Sequence, residues 1–324
     1  METSNKKLQF EVSYTLDILC FIDQLVAGSL DEDITYYGDQ LGSVSEKCLK
    51  KIKKSLSKYG TLQTLVIPLI VADPDFNEIT AEELLANPKY LITKFKQSPN
   101  YKHNPANLKS FVNNEAKKTI ASLAIIVTDL ERIDFKSFWL SDKLPGLKSK
   151  VKKYEEEYDI LKVEEQLGNW VSFAKDVMYV LAFAAEPLLE ASPFSYLISD
   201  SISVRQQMSF LVDEVVFSQS IAKGLSPVLK RFKKDKNFAL LCKKVKKEYP
   251  TPGHYLQKNL FLALTAHLNK QFNTLVQPLY KQPEVYDMSH RFYEMIKEKP
   301  KLAEESLIDY FLDLLANVEL EDIY

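Results

Sequence analysis

Glycine is scarce in this chain of 324 residues, with only 8 occurrences, where average usage would give about 23. Turn-rich sandwiches and barrels need many glycines, so the shortage argues against those classes. Cysteine is scarce too, at three widely spaced positions: Cys20, Cys48 and Cys242. An odd, dispersed set provides neither a disulfide framework nor a CxxC zinc site. We therefore expect reduced thiols that are buried or half-buried.

Segments that would direct the chain to secretion or into a membrane are also missing. The start, METSNKK, is polar and is followed by no apolar core with a small-residue cleavage site. The longest apolar stretches, residues 61–72 and 119–128, are shorter than the roughly 18 residues that a membrane-spanning helix requires. We therefore expect a cytoplasmic protein with no membrane partner.

Intact catalytic and cofactor motifs are absent as well. The four histidines, at 103, 254, 267 and 290, are too far apart in sequence for an HExxH or HxH metal site. No GxSxG, GxxxxGK[ST] or GxGxxG sequence occurs, so the chain has neither a nucleophile elbow nor a common phosphate-binding loop. We expect no cofactor. These absences favour a non-catalytic protein, and an enzyme is kept as an alternative.

Helical periodicity dominates what the sequence does contain. Between residues 43 and 59, apolar side chains recur at spacings of three and four, and Gly60 follows as a C-terminal stop. Thr80 and Glu83 have the spacing of a capping box, which predicts a helix that ends by Asn87. The same patterns predict further helices near 105–128, 148–166, 172–185, 203–222, 227–247, 254–272, 286–297 and 302–318.

These patterns predict a mainly α, multi-helical globular protein. Residues 8–12 are the best candidate strand, which leaves room for a small β-sheet near the N-terminus. Polar and proline-containing breaks near 97–105 and 140–146 suggest an N-terminal helical region, 1–140, and a C-terminal helical region, 141–324. Neither break is long enough for a clear linker, so a single domain remains an alternative.

The segment 183–229 contains FAAEPLLEASPF and later FLVDEVVFSQSIAKGLSPVL. It resembles the core of the gluzincin-type zinc metallopeptidases, in which one helix carries HExxH and a later helix supplies a glutamate as the third zinc ligand. The resemblance places Glu186 at the general-base position and Glu214 at the third-ligand position. Ala185 and Leu189 stand where the family has its two histidines. Since one carboxylate cannot hold zinc alone, the resemblance implies a degenerate, non-catalytic pseudo-metallopeptidase.

The same carboxylates keep a metal-dependent hydrolase or peptidase open as an alternative. Glu186 and Glu190 are four residues apart and share one side of a helix if Pro187 opens its first turn. Together with Glu214 they could bind a divalent cation, with Glu186 as the catalytic group. The simpler interpretation is that Glu186 caps the helix, Glu190 is solvated, and Glu214 pairs with a lysine or arginine. On that interpretation no metal is expected.

Charge is arranged in blocks, although the formal net charge is only −2. Residues 221–250 contain ten basic side chains against two acidic ones, whereas the residues after Lys301 contain seven acidic side chains and no basic one. Such a basic run is either a solvated helix face or a surface that binds a partner. The candidate partner-binding residues are Lys230, Arg231, Lys233, Lys234, Lys236, Lys243 and Lys244.

The sequence therefore predicts a non-catalytic cytoplasmic protein that binds a protein or peptide, and that is a degenerate zinc-peptidase homologue if the resemblance holds. The metal-dependent hydrolase is one alternative. Nucleic-acid binding through the basic segment 223–247 is another, of second rank. It is weakened because Phe232, Phe238 and Tyr249 are too irregularly spaced to form a platform on which unpaired bases stack.

Overall fold

The computed structural model describes residues 8–98, 101, 105–161, 177–185, 188–192, 195–204, 206–207, 219–246, 251–271, 287–299, 301–302 and 305–316. The protein is mainly α-helical with one small sheet, which confirms the predicted fold class. It divides into two compact units, Met1–Glu156 with Ala174–Ile202, and Glu157–Phe173 with Ser203–Tyr324. This division differs from the predicted boundary between residues 140 and 141.

Most of the helices lie where the periodicity predicts them. The helix predicted over 43–59 is confirmed, and the capping box of Thr80 and Glu83 is formed at the start of the helix that begins at Ala81. No helix among the described residues has the length and apolar character needed to cross a lipid bilayer. In chain order the helices are α1 (Tyr14–Ala27), α2 (Glu32–Asp39), α3 (Ser43–Tyr59), α4 (Leu62–Leu65), α5 (Ile67–Ile70), α6 (Ala81–Ala86), α7 (Pro88–Gln97), α8 (Ala106–Asn114), α9 (Ala116–Arg132), α10 (Phe135–Phe138), α11 (Leu144–Leu161), α12 (Gln219–Gly224), α13 (Ser226–Phe232), α14 (Lys236–Lys244), α15 (Pro252–Gln271), α16 (Asp287–Glu298) and α17 (Leu307–Ala316).

The sheet of the first unit joins the N-terminus to the middle of the chain. Its strands are β1 (Gln9–Glu11), β2 (Val177–Leu181), β3 (Leu188–Ser192) and β4 (Ser195–Ser199), in the order β1-β2-β4-β3. Strands β1, β2 and β4 run parallel to one another, and β3 runs antiparallel to β4 at the edge of the sheet. The N-terminal strand that the sequence predicts is confirmed, but its partner lies far along the chain.

The helix predicted over 172–185 is wrong in its described part, because Val177–Leu181 is the strand β2. Most of its side chains are buried, as is typical of a parallel strand covered on both faces. The helix predicted to carry Glu186 and Glu190 on one side is also wrong, because Glu190 lies in β3. Pro187 has no amide hydrogen and disfavours a helical conformation at the residue before it, and β3 instead forms its backbone hydrogen bonds with β4.

Helix α1 is the centre of the first unit. The residues from Leu16 to Ile22 are fully buried all around the helix, including the aspartate at position 17. Asp17 Oδ2 accepts hydrogen bonds from Trp139 Nε1 at 2.7 Å and from the Ala182 amide at 3.3 Å, and Oδ1 accepts from the Phe183 amide at 3.0 Å. The ring of Phe21 lies 4.4 Å from that of Phe135, centroid to centroid. One carboxylate therefore ties the central helix to the loop after β2.

The buried carboxyl group of Asp17 makes the stability of the first unit depend on pH. Burial raises the pKa of Asp17 from 3.8 to about 6, although its three hydrogen bonds act in the opposite direction. Because the folded state holds this proton more tightly than the unfolded state, the contribution of Asp17 is most favourable below about pH 4. This contribution to the free energy of unfolding is lost as the pH rises from about 4 to about 6. The total loss is about 3 kcal/mol, since each pH unit between the two pKa values costs about 1.4 kcal/mol.

We therefore expect Asp17→Asn to remove part of the pH dependence of unfolding. Between about pH 4.5 and pH 7, the wild type should lose about 2 kcal/mol more stability than the variant does. Urea unfolding at both pH values measures the difference between the two stability losses. Unfolding is monitored by the fluorescence of Trp139, with Trp170→Phe present in both proteins. Equal losses in the two proteins would show that the Asp17 proton does not control this pH dependence.

The second unit is built on helix α15. Tyr255, Leu256 and Leu260 are fully buried on this helix, which packs against α16 and α13. The short helices α12 and α13 pack against the C-terminal helix α17.

The three thiols are free, with Cys20 and Cys48 buried and Cys242 partly exposed, so their predicted burial is confirmed.

Candidate functional site

Most of the peptidase-like site lies outside the described residues. Glu186, Glu214 and the side chain of Glu190 are among the undescribed positions. Ala185 is exposed after β2, and Leu189 lies in β3 rather than on a helix. The resemblance to the zinc peptidases stays a prediction, without the continuous helix that it implies at this position.

Metal-ligating side chains do not gather elsewhere in the part of the chain that the structure describes. No group of three or more histidine, cysteine, aspartate or glutamate side chains there is placed to hold a metal ion. The carboxylate site of the alternative hydrolase stays a prediction, because Glu186, Glu214 and the side chain of Glu190 lie outside the described part.

The basic segment forms two short helices that meet at a three-residue turn. Helix α13 ends at Phe232 and α14 begins at Lys236, where the Asp235 carboxylate caps it by accepting from the Phe238 amide at 2.8 Å. The rings of Phe232 and Phe238 are fully buried and meet edge to face, with centroids 5.5 Å apart. These two aromatic residues therefore fix the position of one helix on the other.

All seven predicted partner-binding residues are exposed on this helix pair. Burial raises the pKa of Cys242 on α14 to about 11, and the charge of Lys233, directly after α13, offsets part of that rise. The contact of Phe232 with Phe238 makes α13 and α14 neighbours, so the exposed basic side chains lie on two adjoining helices. We call this region the α13–α14 basic surface: Lys230, Arg231, Lys233, Lys234, Lys236, Lys243 and Lys244.

Among the residues that the structure describes, few carboxylates lie in the segment that carries this surface. Asp235 is the one acidic residue between 223 and 246, and its carboxylate is engaged in capping α14. On the acidic helix α17, Asp309 interacts with Ser306, and Asp313 forms an ion pair with Lys299. Both of these α17 carboxylates therefore have partners outside the seven basic residues.

Arg231 has a different environment from the lysines. Its guanidinium group donates to the backbone carbonyls of Leu315 and Ala316 at the C-terminus of α17. A charged donor makes a stronger hydrogen bond to a carbonyl oxygen than a neutral donor does. Arg231 therefore joins the basic segment to helix α17, whereas the lysines of the surface are exposed.

One apolar side chain stands among the lysines. Leu240 on α14 is 56% exposed. Lys236 precedes it by four residues and Lys243 follows it by three, a spacing that places the three side chains on one helix face. Phe232 and Phe238 are fully buried and cannot stack on a nucleic-acid base. The exposed face of α14 thus combines positive charge with an aliphatic contact.

A second basic region was not predicted from the sequence. Lys51, Lys54 and Lys58 on α3 line a cleft together with Lys118 on α9. The α3 lysines are visible in the sequence as the polar face of an amphipathic helix, but their neighbour is more than fifty positions away. Only the packing of α3 against α9 shows that these charges meet.

Comparisons with known proteins give no relative for this chain. No family model matches it, and no curated protein or solved structure shows a significant similarity.

Proposed function

We propose that this chain is a non-catalytic cytoplasmic protein that binds an acidic, amphipathic protein segment through the α13–α14 basic surface. The observation that carries the proposal is the combination on α14 of Lys236 and Lys243 with the exposed Leu240. A helix with carboxylates flanking an apolar stripe would pair its charges with the lysines and bury Leu240.

Two features favour a protein partner over a nucleic acid. A nucleic acid offers phosphates to the lysines but gains little from an exposed aliphatic side chain. Unpaired bases are bound largely by stacking on aromatic rings, and the described aromatic rings of this segment, Phe232 and Phe238, are buried. An acidic amphipathic peptide uses both the charge and the leucine.

A charge-reversal variant tests the proposal. We expect Lys236→Glu/Lys243→Glu to weaken binding of a fluorescein-labelled peptide at least about tenfold, because two attractive contacts become repulsive. The probe is a synthetic helix of about 20 residues, long enough to be helical in isolation, with glutamates flanking a leucine stripe. Fluorescence anisotropy with the full chain measures the affinity, and Lys89→Glu/Lys148→Glu, at exposed positions in the first unit, is the matched control.

A second variant separates the protein partner from a nucleic acid. Leu240→Ser should weaken peptide binding about fivefold, since burying a half-exposed leucine contributes about 1 kcal/mol, and should leave the weak retention of an oligonucleotide unchanged. The proposal fails if the peptide does not bind at about 50 mM salt. It also fails if a single-stranded or duplex oligonucleotide of equal charge binds more tightly than the peptide does.

A further inference from the structure

A cleft lies between helices α3 and α9 of the first unit, which is not the unit that carries the α13–α14 basic surface. The two helices run antiparallel, because the amide of Gly42 before α3 donates to Asp129 near the end of α9 at 2.7 Å. Thr119 near the start of α9 bonds to Ser55 near the end of α3. The cleft has a volume of about 400 Å³, which is within the range of sites for small molecules.

The rim of the cleft is strongly positive. Four lysines line it, Lys51, Lys54, Lys58 and Lys118, against the single carboxylate of Glu115. Within the described part of the chain, no ion pair joins any of the four to a carboxylate. Like charges around a concave surface repel one another and concentrate anions from solution.

Hydroxyl groups and apolar atoms form the inner wall. Thr119 is almost fully buried, and its Oγ1 donates to Ser55 Oγ at 3.3 Å, which leaves the Ser55 proton able to donate to a ligand oxygen. Ser122 adds another hydroxyl to the lining. Ile52 and the ring of Tyr59 are buried beneath, and the Lys58 ammonium group lies 4.8 Å from the centroid of that ring.

We propose that the α3–α9 cleft binds a small organic phosphate, with the phosphate oxygens between the lysines and Ser55, and an apolar or aromatic group against the part of Tyr59 that lines the cleft. Lysine is a common phosphate ligand, and a hydroxyl donor completes such a site. The small volume of the cleft, about 400 Å³, favours a small molecule over a polymer.

Two matched pairs of probes test the proposal by isothermal titration with the full chain at about 50 mM salt. One pair is phenyl phosphate and inorganic phosphate, and the other is ADP and pyrophosphate. The organic member of each pair should bind at least about fivefold more tightly, because its ring loses contact with water on the apolar wall. Lys54→Gln/Lys118→Gln should weaken both organic probes at least about tenfold.

The control variant is Lys50→Gln/Lys117→Gln, which removes the same charge from the same two helices at exposed positions outside the cleft. It should change both affinities less than about twofold, and thermal unfolding should show that both double variants fold. The proposal is overturned if neither organic probe binds, if each binds no more tightly than its inorganic counterpart, or if the two double variants lose affinity equally.

Discussion

Replacing Asp17 with alanine should lower the free energy of unfolding of the first unit by about 3 kcal/mol at pH 7. The substitution leaves three N–H donors without their acceptor: the buried indole of Trp139, the buried amide of Phe183 and the part-buried amide of Ala182. Each buried donor without a partner costs about 1–3 kcal/mol. Removing the buried carboxylate charge raises the free energy of unfolding by about 3 kcal/mol at this pH. The unpaired donors cost more than this gain, so the substitution destabilises the protein.

Urea unfolding followed by Trp139 fluorescence in a Trp170→Phe background measures this loss. Asp17→Asn is the conservative control, because its amide oxygen still accepts one or two of the three hydrogen bonds and its size is unchanged. We expect the asparagine variant to lie between the wild type and the alanine variant. A loss below about 1 kcal/mol for Asp17→Ala would mean that water replaces the carboxylate without cost.

Replacing Phe238 with alanine should destabilise the α13–α14 region by about 3–5 kcal/mol, the usual range for removing a buried phenyl ring. The ring is fully buried, 5.5 Å from the centroid of Phe232 and 6.2 Å from that of Tyr255. Its loss opens a cavity beneath the basic surface, because the aromatic neighbours cannot collapse onto the small side chain.

Hydrogen exchange of peptides that cover residues 225–246 measures this effect directly. Phe238→Leu is the control, and it should lose about 1–2 kcal/mol because most of the buried volume is retained. The acidic peptide of the binding test should still bind Phe238→Leu. Unchanged exchange in Phe238→Ala would show that the two helices do not depend on this ring.

Local signals predict the helices of this protein well. The bounds of α3 follow from its apolar stripe and from Gly60, whose φ of +139° few other residues adopt. The start of α6 follows from the mutual hydrogen bonds of Thr80 and Glu83. Each of these signals lies within a few residues of the structure it determines.

Long-range structure could not be predicted in the same way. Val177–Leu181 is a short apolar run that periodicity cannot assign to a strand rather than a buried helix, and its partner Gln9–Glu11 is at the other end of the unit. The two basic regions likewise depend on contacts that the sequence does not show. The exposed lysines of α14 were predicted, whereas the exposure of Leu240 and the meeting of Lys118 with the α3 lysines depend on packing.

The parallel pairing of β1 with β2 has a consequence for synthesis of the chain. The hydrogen bond from Ala182, directly after β2, to Asp17, shortly after β1, joins residues 165 positions apart. The ribosome must therefore add about that many residues before β1 can pair with β2. At roughly 5–20 residues per second, the delay is about ten to thirty seconds. During that interval β1 and the apolar sides of α1 lack their final cover, and a chaperone that recognises short hydrophobic stretches has its longest opportunity there.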